Sequence, residues 1–161
     1  MNKLIIVAGV SGSGKTTIGM QLSKKLDIPF EDADDYHPQA NVEKMQNGSP
    51  LNDYDRKPWL QNLEKKLQEW SKDKGVVLAC SALKESYREI LEQHEDIIWV
   101  FLDGSFELLK SRLDNRKGHF FSSKLLQSQL DTLEIPDYGI HVSVNQTIEA
   151  IVEEISSKIN S

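Results

Sequence analysis

A chain of 161 residues is long enough for one domain around a single substantial core. Hydrophobic residues make up 39% and charged residues 27%, and the formal net charge of −6 argues against a general nucleic-acid-binding surface. The lone cysteine, Cys80, excludes an intramolecular disulfide and a zinc site built from thiolates; inside the apolar run Val76–Cys80 it reads as a buried, inert thiol. No segment approaches the roughly 20 apolar residues needed to cross a bilayer, and the apolar N-terminal run is too short for a signal-peptide core. The expectation is a cytoplasmic protein with neither membrane nor nucleic acid as partner.

In chain order, the continuous apolar run Leu4–Ala8 predicts a parallel strand buried on both faces, and a glycine-rich loop follows it directly. Ile18, Leu22 and Leu26 recur every four residues and predict a helix over Lys15–Leu26. Pro29–Asp32 reads as a weak second strand running into the polar cluster Asp34–Pro38, a loop by composition. A short helix over Asn41–Asn47 closes at Gly48, and Pro50 extends the break. A long helix is expected from about Lys57 to Lys72, with Pro58 in its first turn and Trp59, Leu63, Leu67 and Trp70 as its inner stripe.

Val76–Cys80 is the third strand and Leu83–Leu91 the helix after it. Ile97–Leu102, β-branched and aromatic throughout, is the clearest strand of all. Ser105 suits the N-cap of a helix carrying Phe106, Leu109 and Leu113 inward. An irregular basic segment from Asn115 to Phe121 precedes a helix over Leu125–Leu133, a last strand at His141–Val144 and a closing helix from Ile148 to Ile159. Strands alternating with helices predict one α/β domain over residues 1–161, built on a parallel sheet.

Gly9-Val10-Ser11-Gly12-Ser13-Gly14-Lys15-Thr16 matches the phosphate-loop (Walker A) pattern at every position, between a predicted strand and a predicted helix. Its glycines allow successive N–H groups to turn inward as a nest for phosphate oxygens, and the following helix adds its positive end. Lys15 is placed to reach the β- and γ-phosphates, the Thr16 hydroxyl to ligate Mg²⁺, and Thr17 is counted with the nucleotide-binding residues. No Asn-Lys-x-Asp guanine motif follows a late strand, and the third strand ends in Cys80 rather than an aspartate. A GTPase and a motor-type ATPase are therefore disfavoured, leaving a small-molecule kinase.

Asp32 and Asp34, at the end of strand two, are expected to face the loop; one can hold magnesium through water while the other accepts a substrate hydroxyl proton. Arg116-Lys117-Gly118, between two helices, reads as a lid over about 115–122 that supplies positive charge to the transferring phosphoryl group.

The sequence resembles the gluconokinases, within the nucleoside-monophosphate-kinase-like group that also holds the shikimate kinases. The resemblance is carried by the phosphate loop, Asp32-Ala33-Asp34-Asp35-Tyr36-His37-Pro38, Asn41–Met45, Gly48–Leu60, Cys80–Arg88 and Arg116–Phe121, which span roughly residues 9 to 136 in the family's order. It implies a three-layer α/β/α fold on five parallel strands in the order 2-3-1-4-5, ATP with Mg²⁺ as donor, and phosphorylation of the 6-hydroxyl of D-gluconate. It implies Asp34 as the residue near the attacking hydroxyl, Asp32 as the magnesium partner, Arg112 stacked on adenine and Arg116 as the lid arginine on the phosphates. His37, Arg56, Lys84, Arg88 and Gln129 are implied as contacts to the acceptor's hydroxyls and carboxylate. A dimer is implied too, although no sequence feature shows its interface. The additional carboxylate Asp35 leaves the choice of base open between Asp34 and Asp35. Two other functions fit the same motifs: a kinase for another sugar acid or polyol, and a regulatory module that binds nucleotide without catalysis.

Overall fold

The computed structural model describes residues 2–114 and 123–160. Five strands, β1 (Leu4–Ala8), β2 (Phe30–Asp32), β3 (Val76–Cys80), β4 (Ile98–Asp103) and β5 (Ile140–Ser143), form one sheet in the order β2-β3-β1-β4-β5. Every neighbouring pair is parallel, with Ile6 opposite both Leu78 and Trp99 at the centre. The helices are α1 (Lys15–Leu26), α2 (Gln39–Gln46), α3 (Asp53–Ser71), α4 (Glu85–Leu91), α5 (Phe106–Asp114), α6 (Ser123–Thr132) and α7 (Ile148–Asn160).

Right-handed crossovers fix which helices share a face. The chain moves outward from β1 to β2 through α1, then turns back through α3 and α4, so α1 lies opposite the other two. The packing follows: α1 meets α7, and α3 meets α4. Strands covered on both faces must be apolar throughout, which is why every residue of β1 and β3 is buried. Trp59, Leu60, Leu63 and Leu67 of α3 close the core from one side, and Ile18, Leu22, Ile151 and Ile155 from the other. No helix among the described residues is long and apolar enough to cross a membrane.

The local departures from expectation have identifiable causes. Helix α3 begins at Asp53, four residues before the predicted start, because Asn52 and Asp55 form a reciprocal capping box. The Asn52 side chain accepts from the Asp55 N–H at 2.8 Å, and the Asp55 carboxylate accepts from the Asn52 N–H at 2.9 Å. Pro58 therefore lies inside the helix rather than in its first turn. The polar cluster after β2 is a 3₁₀ turn over Ala33–Tyr36, capped by Asp32. Ser105 does accept from the Leu108 N–H, at 3.2 Å.

Candidate active site

The strand order reverses about β1, so a crevice opens beyond the C-terminal ends of β1 and its neighbours. The phosphate loop leaves β1 at this point. Gly12 and Gly14 have φ of 85° and 87°, and a Cβ on Gly12 would stand 2.8 Å from the Leu109 carbonyl oxygen. Only glycine fits there. Gly14 caps α1 without any side-chain acceptor, and the first turn of α1 holds no acidic residue. Its N-terminal N–H groups are left open to an external anion.

Two side chains from outside the loop converge on it, those of Asp32 and Gln129. The Thr16 hydroxyl donates to Asp32 Oδ2 at 3.0 Å, and Asp32 Oδ1 accepts the Asp34 N–H at 3.0 Å, so one carboxylate joins the loop to the turn after β2. The Gln129 side-chain oxygen, on α6, accepts the Ser11 N–H at 2.8 Å. The Lys15 ammonium has no hydrogen bond or ion pair among the described residues and lines a cleft with Asp34, His37, Arg56, Trp59 and Gln129. The cleft holds ≈ 530 Å³ of empty space, its mouth included.

Asp34 lines this cleft and Asp35 does not. The Asp34 side chain keeps 56% of its surface open, yet the surrounding walls desolvate its carboxyl and push its pKa up from the ordinary value. Lys15 opposes the rise, while Asp32 and Asp35 add to it. The open side moderates the effect but not its direction.

Trp59 organises the turn. Its indole N–H donates to the Ala33 carbonyl at 2.7 Å, and its ring stacks on His37 with centroids 4.2 Å apart. Asn41 closes on the other edge of the imidazole, Nδ2 to Nδ1 at 3.2 Å, and donates to the Asp55 carbonyl at 2.8 Å. His37 Nε2 stands 3.8 Å from Asp34 Oδ1. Burial first, and the Arg56 charge second, lower the His37 pKa to about 4, so the ring is neutral near pH 7.

The two conspicuous arginines are placed differently. Arg56 is 8% exposed, lines the cleft, and donates to the Tyr87 hydroxyl at 2.8 Å. Arg88 is 2% exposed and lies outside the cleft lining. Its Nε reaches the Tyr138 hydroxyl at 2.9 Å, Nη1 the Ala82 carbonyl at 2.7 Å and Nη2 the Glu134 carbonyl at 2.8 Å. Ala82 has φ of 41°, a strained value for a residue with a Cβ, and this clamp holds it.

Lys84 also stands outside the lining, paired with Asp53 at 3.0 Å. Arg112 donates to the Val144 carbonyl at 2.7 Å, beside the turn between β5 and α7. Thr17 is exposed in a separate groove between α1 and α7, with Gln21 and Val152. Arg116 and the expected lid fall outside the described residues. Cys80 is buried and pushed up to about 12 by desolvation, an inert thiol at the end of β3.

Trp59, Asn41, Tyr87 and Asp53 carried no site role on sequence alone. Each sits in a block that resembles the gluconokinases, but only contacts across the fold distinguish it from its neighbours.

The family model for shikimate kinase matches residues 11–159. A probable gluconokinase of Xenopus tropicalis is 46% identical, over 98% of this chain and 93% of that protein. A gluconokinase of Gluconobacter oxydans is 45% identical, over 95% of this chain and 89% of that protein. Among solved structures, a gluconokinase from Sinorhizobium meliloti superposes with a TM-score of 0.90 at 40% identity, covering 98% of this chain and 91% of that one.

Proposed function

The chain belongs to the gluconokinase family of P-loop kinases, and from this premise we propose that its cleft transfers the γ-phosphate of ATP to the 6-hydroxyl of D-gluconate, giving 6-phospho-D-gluconate and ADP. One observation above all supports the acceptor. Arg56 is a buried cation with no carboxylate within 4.0 Å among the described residues, and it lines the same cleft as Lys15 and Asp34. A buried charge without a counter-ion is costly, and an acceptor bearing a carboxylate supplies the missing partner in bidentate form.

The donor phosphates lie against the open N–H groups of α1, with Lys15 drawn to the β- and γ-oxygens. Thr16 and Asp32 form a hard-oxygen pair that fits Mg²⁺, an ion that takes few protein ligands and fills the rest with water and phosphate. When bound there it would offset the charge of the phosphate oxygens. Asp34 takes the hydroxyl proton as the acceptor oxygen attacks the γ-phosphorus; its raised pKa makes it a stronger base than an ordinary carboxylate. Neutral His37 and Gln129 supply hydrogen bonds to the polyol, Arg112 stacks on the base, and Arg116 brings positive charge to the transferring group.

A coupled assay of ADP release over gluconate, other aldonates, shikimate and nucleoside monophosphates tests this. Gluconate is expected to be turned over fastest, and Lys15→Ala to abolish transfer. Turnover of shikimate or a nucleotide with none of gluconate would overturn the reading. ATP binding without gluconate-dependent ADP release would point instead to a regulatory module.

A further inference from the structure

Asp53 and Arg56 stand three residues apart on α3, the spacing at which opposite charges meet on a helix surface. They do not pair within 4.0 Å. The Tyr87 hydroxyl, from α4, stands between them: it donates to Asp53 Oδ1 and accepts from Arg56 Nη1 at 2.8 Å. Lys84 takes up both Asp53 oxygens, at 3.0 and 3.1 Å. The Tyr87 ring carries the two cations as well, with Arg56 Cζ 5.4 Å and Lys84 Nζ 5.8 Å from its centroid. Tyr87 is buried, and desolvation together with its bond to Asp53 pushes its pKa up to about 12. Its O–H thus remains a donor across the working pH range.

We infer that Tyr87 is a positioning residue, a spacer that keeps Arg56 from being neutralised by the carboxylate on its own helix and so reserves the guanidinium for the acceptor's carboxylate. The inference rests on the reading of Arg56 given above. Its physical basis is competition. A carboxylate one helical turn away acts as an intramolecular rival at an effective concentration in the millimolar range or above, which a dissolved substrate must outcompete. The phenol satisfies Asp53 with a neutral donor and Arg56 with a neutral acceptor. Arg56 is held in place without losing its charge to a partner.

The test is a double-mutant cycle between Tyr87→Phe and Asp53→Asn, reading KM for gluconate, KM for ATP and kcat. In the parent, Tyr87→Phe is expected to raise the gluconate KM about tenfold, with the ATP KM and kcat within about twofold. In the Asp53→Asn background, where no carboxylate remains to capture Arg56, the same change should raise it less than about threefold. Using Asp53→Asn as its own reference cancels any effect of releasing Lys84. An unchanged gluconate KM in Tyr87→Phe, or an equal rise in both backgrounds, would overturn the spacer role. A parallel rise in the ATP KM would mark a general packing defect and overturn it too. Arg56→Gln separates the two claims. If it raises the gluconate KM while Tyr87→Phe does not, the spacer alone fails; if it leaves that KM unchanged, the Arg56 reading and the spacer fail together.

Discussion

Arg56 and Arg88 are the buried arginines of the described chain, and their partners differ: Arg88 Nε has the Glu85 carboxylate at 3.7 Å, while Arg56 has none within 4.0 Å among the described residues. All three nitrogens of Arg88 are bound by oxygens of the chain itself: two carbonyls and a phenol. Among the described residues Arg56 has one bond, to a neutral hydroxyl, and it lines the cleft. Arg88 also lies over the Phe101 ring, 5.4 Å from its centroid. The contrast teaches that burial alone does not mark a binding residue. A guanidinium whose donors are spent internally acts as a clamp, and one with donors in reserve is free to receive a ligand.

The largest expected effect comes from breaking the clamp. Arg88→Met strips partners from the Ala82 and Glu134 carbonyls and frees a strained backbone, and should cost about 3 kcal/mol of stability. For a chain of this size that lowers Tm by roughly 6–12 °C, measurable by calorimetry. If Arg88→Met were as stable as the parent, with only the gluconate KM raised, the distinction would be erased. Arg56→Gln should do the reverse, leaving stability within about 1 kcal/mol because it removes a buried charge that lacks a counter-ion. A loss matching that of Arg88→Met would show Arg56 to be a clamp as well.

A change of pH rather than of sequence sharpens the comparison electrostatically. After burial, Arg56 is the main cause of the low His37 pKa of about 4. The unfolded chain therefore binds a proton on His37 below about pH 6.5 that the folded chain refuses until about pH 4. Stability should fall as pH drops through that window, by up to about 1.4 kcal/mol per pH unit, and the His37 contribution should level off below it. An NMR titration should find the His37 pKa raised in Arg56→Gln and unmoved in Arg88→Met. Equal shifts in both would mean that the field at His37 does not come from the cleft arginine.

Sequence reading recovered the frame of the molecule because β1, β3 and β4 as far as Leu102 are apolar without interruption and no other short pattern competes there. It misplaced the start of α3 because two signals conflicted: proline favours a first-turn position, while Asn52 and Asp55 form a box that only their mutual geometry reveals. That Asp32 faces the phosphate loop was legible, since a strand end beside that loop is a topological consequence of the fold; its bond to Thr16 was not. The placement of Asp34 in the cleft, with Asp35 outside it, was not, because adjacent residues of a 3₁₀ turn point in different directions. Nor were the roles of the arginines. Arg56 and Arg88 look alike along the chain, and what separates them are partners 31 residues distant in one case and up to 50 in the other.

The stack of Trp59 on His37 has an optical consequence. An indole face to face with an imidazole, its N–H fixed on the Ala33 carbonyl, should have an emission that responds to protonation of that ring and to a ligand entering the cleft. The protein thus carries a fluorophore built into the cleft wall. Trp70, against Tyr36, and Trp99, against Phe101, lie outside the cleft lining and provide a background for it within the same molecule.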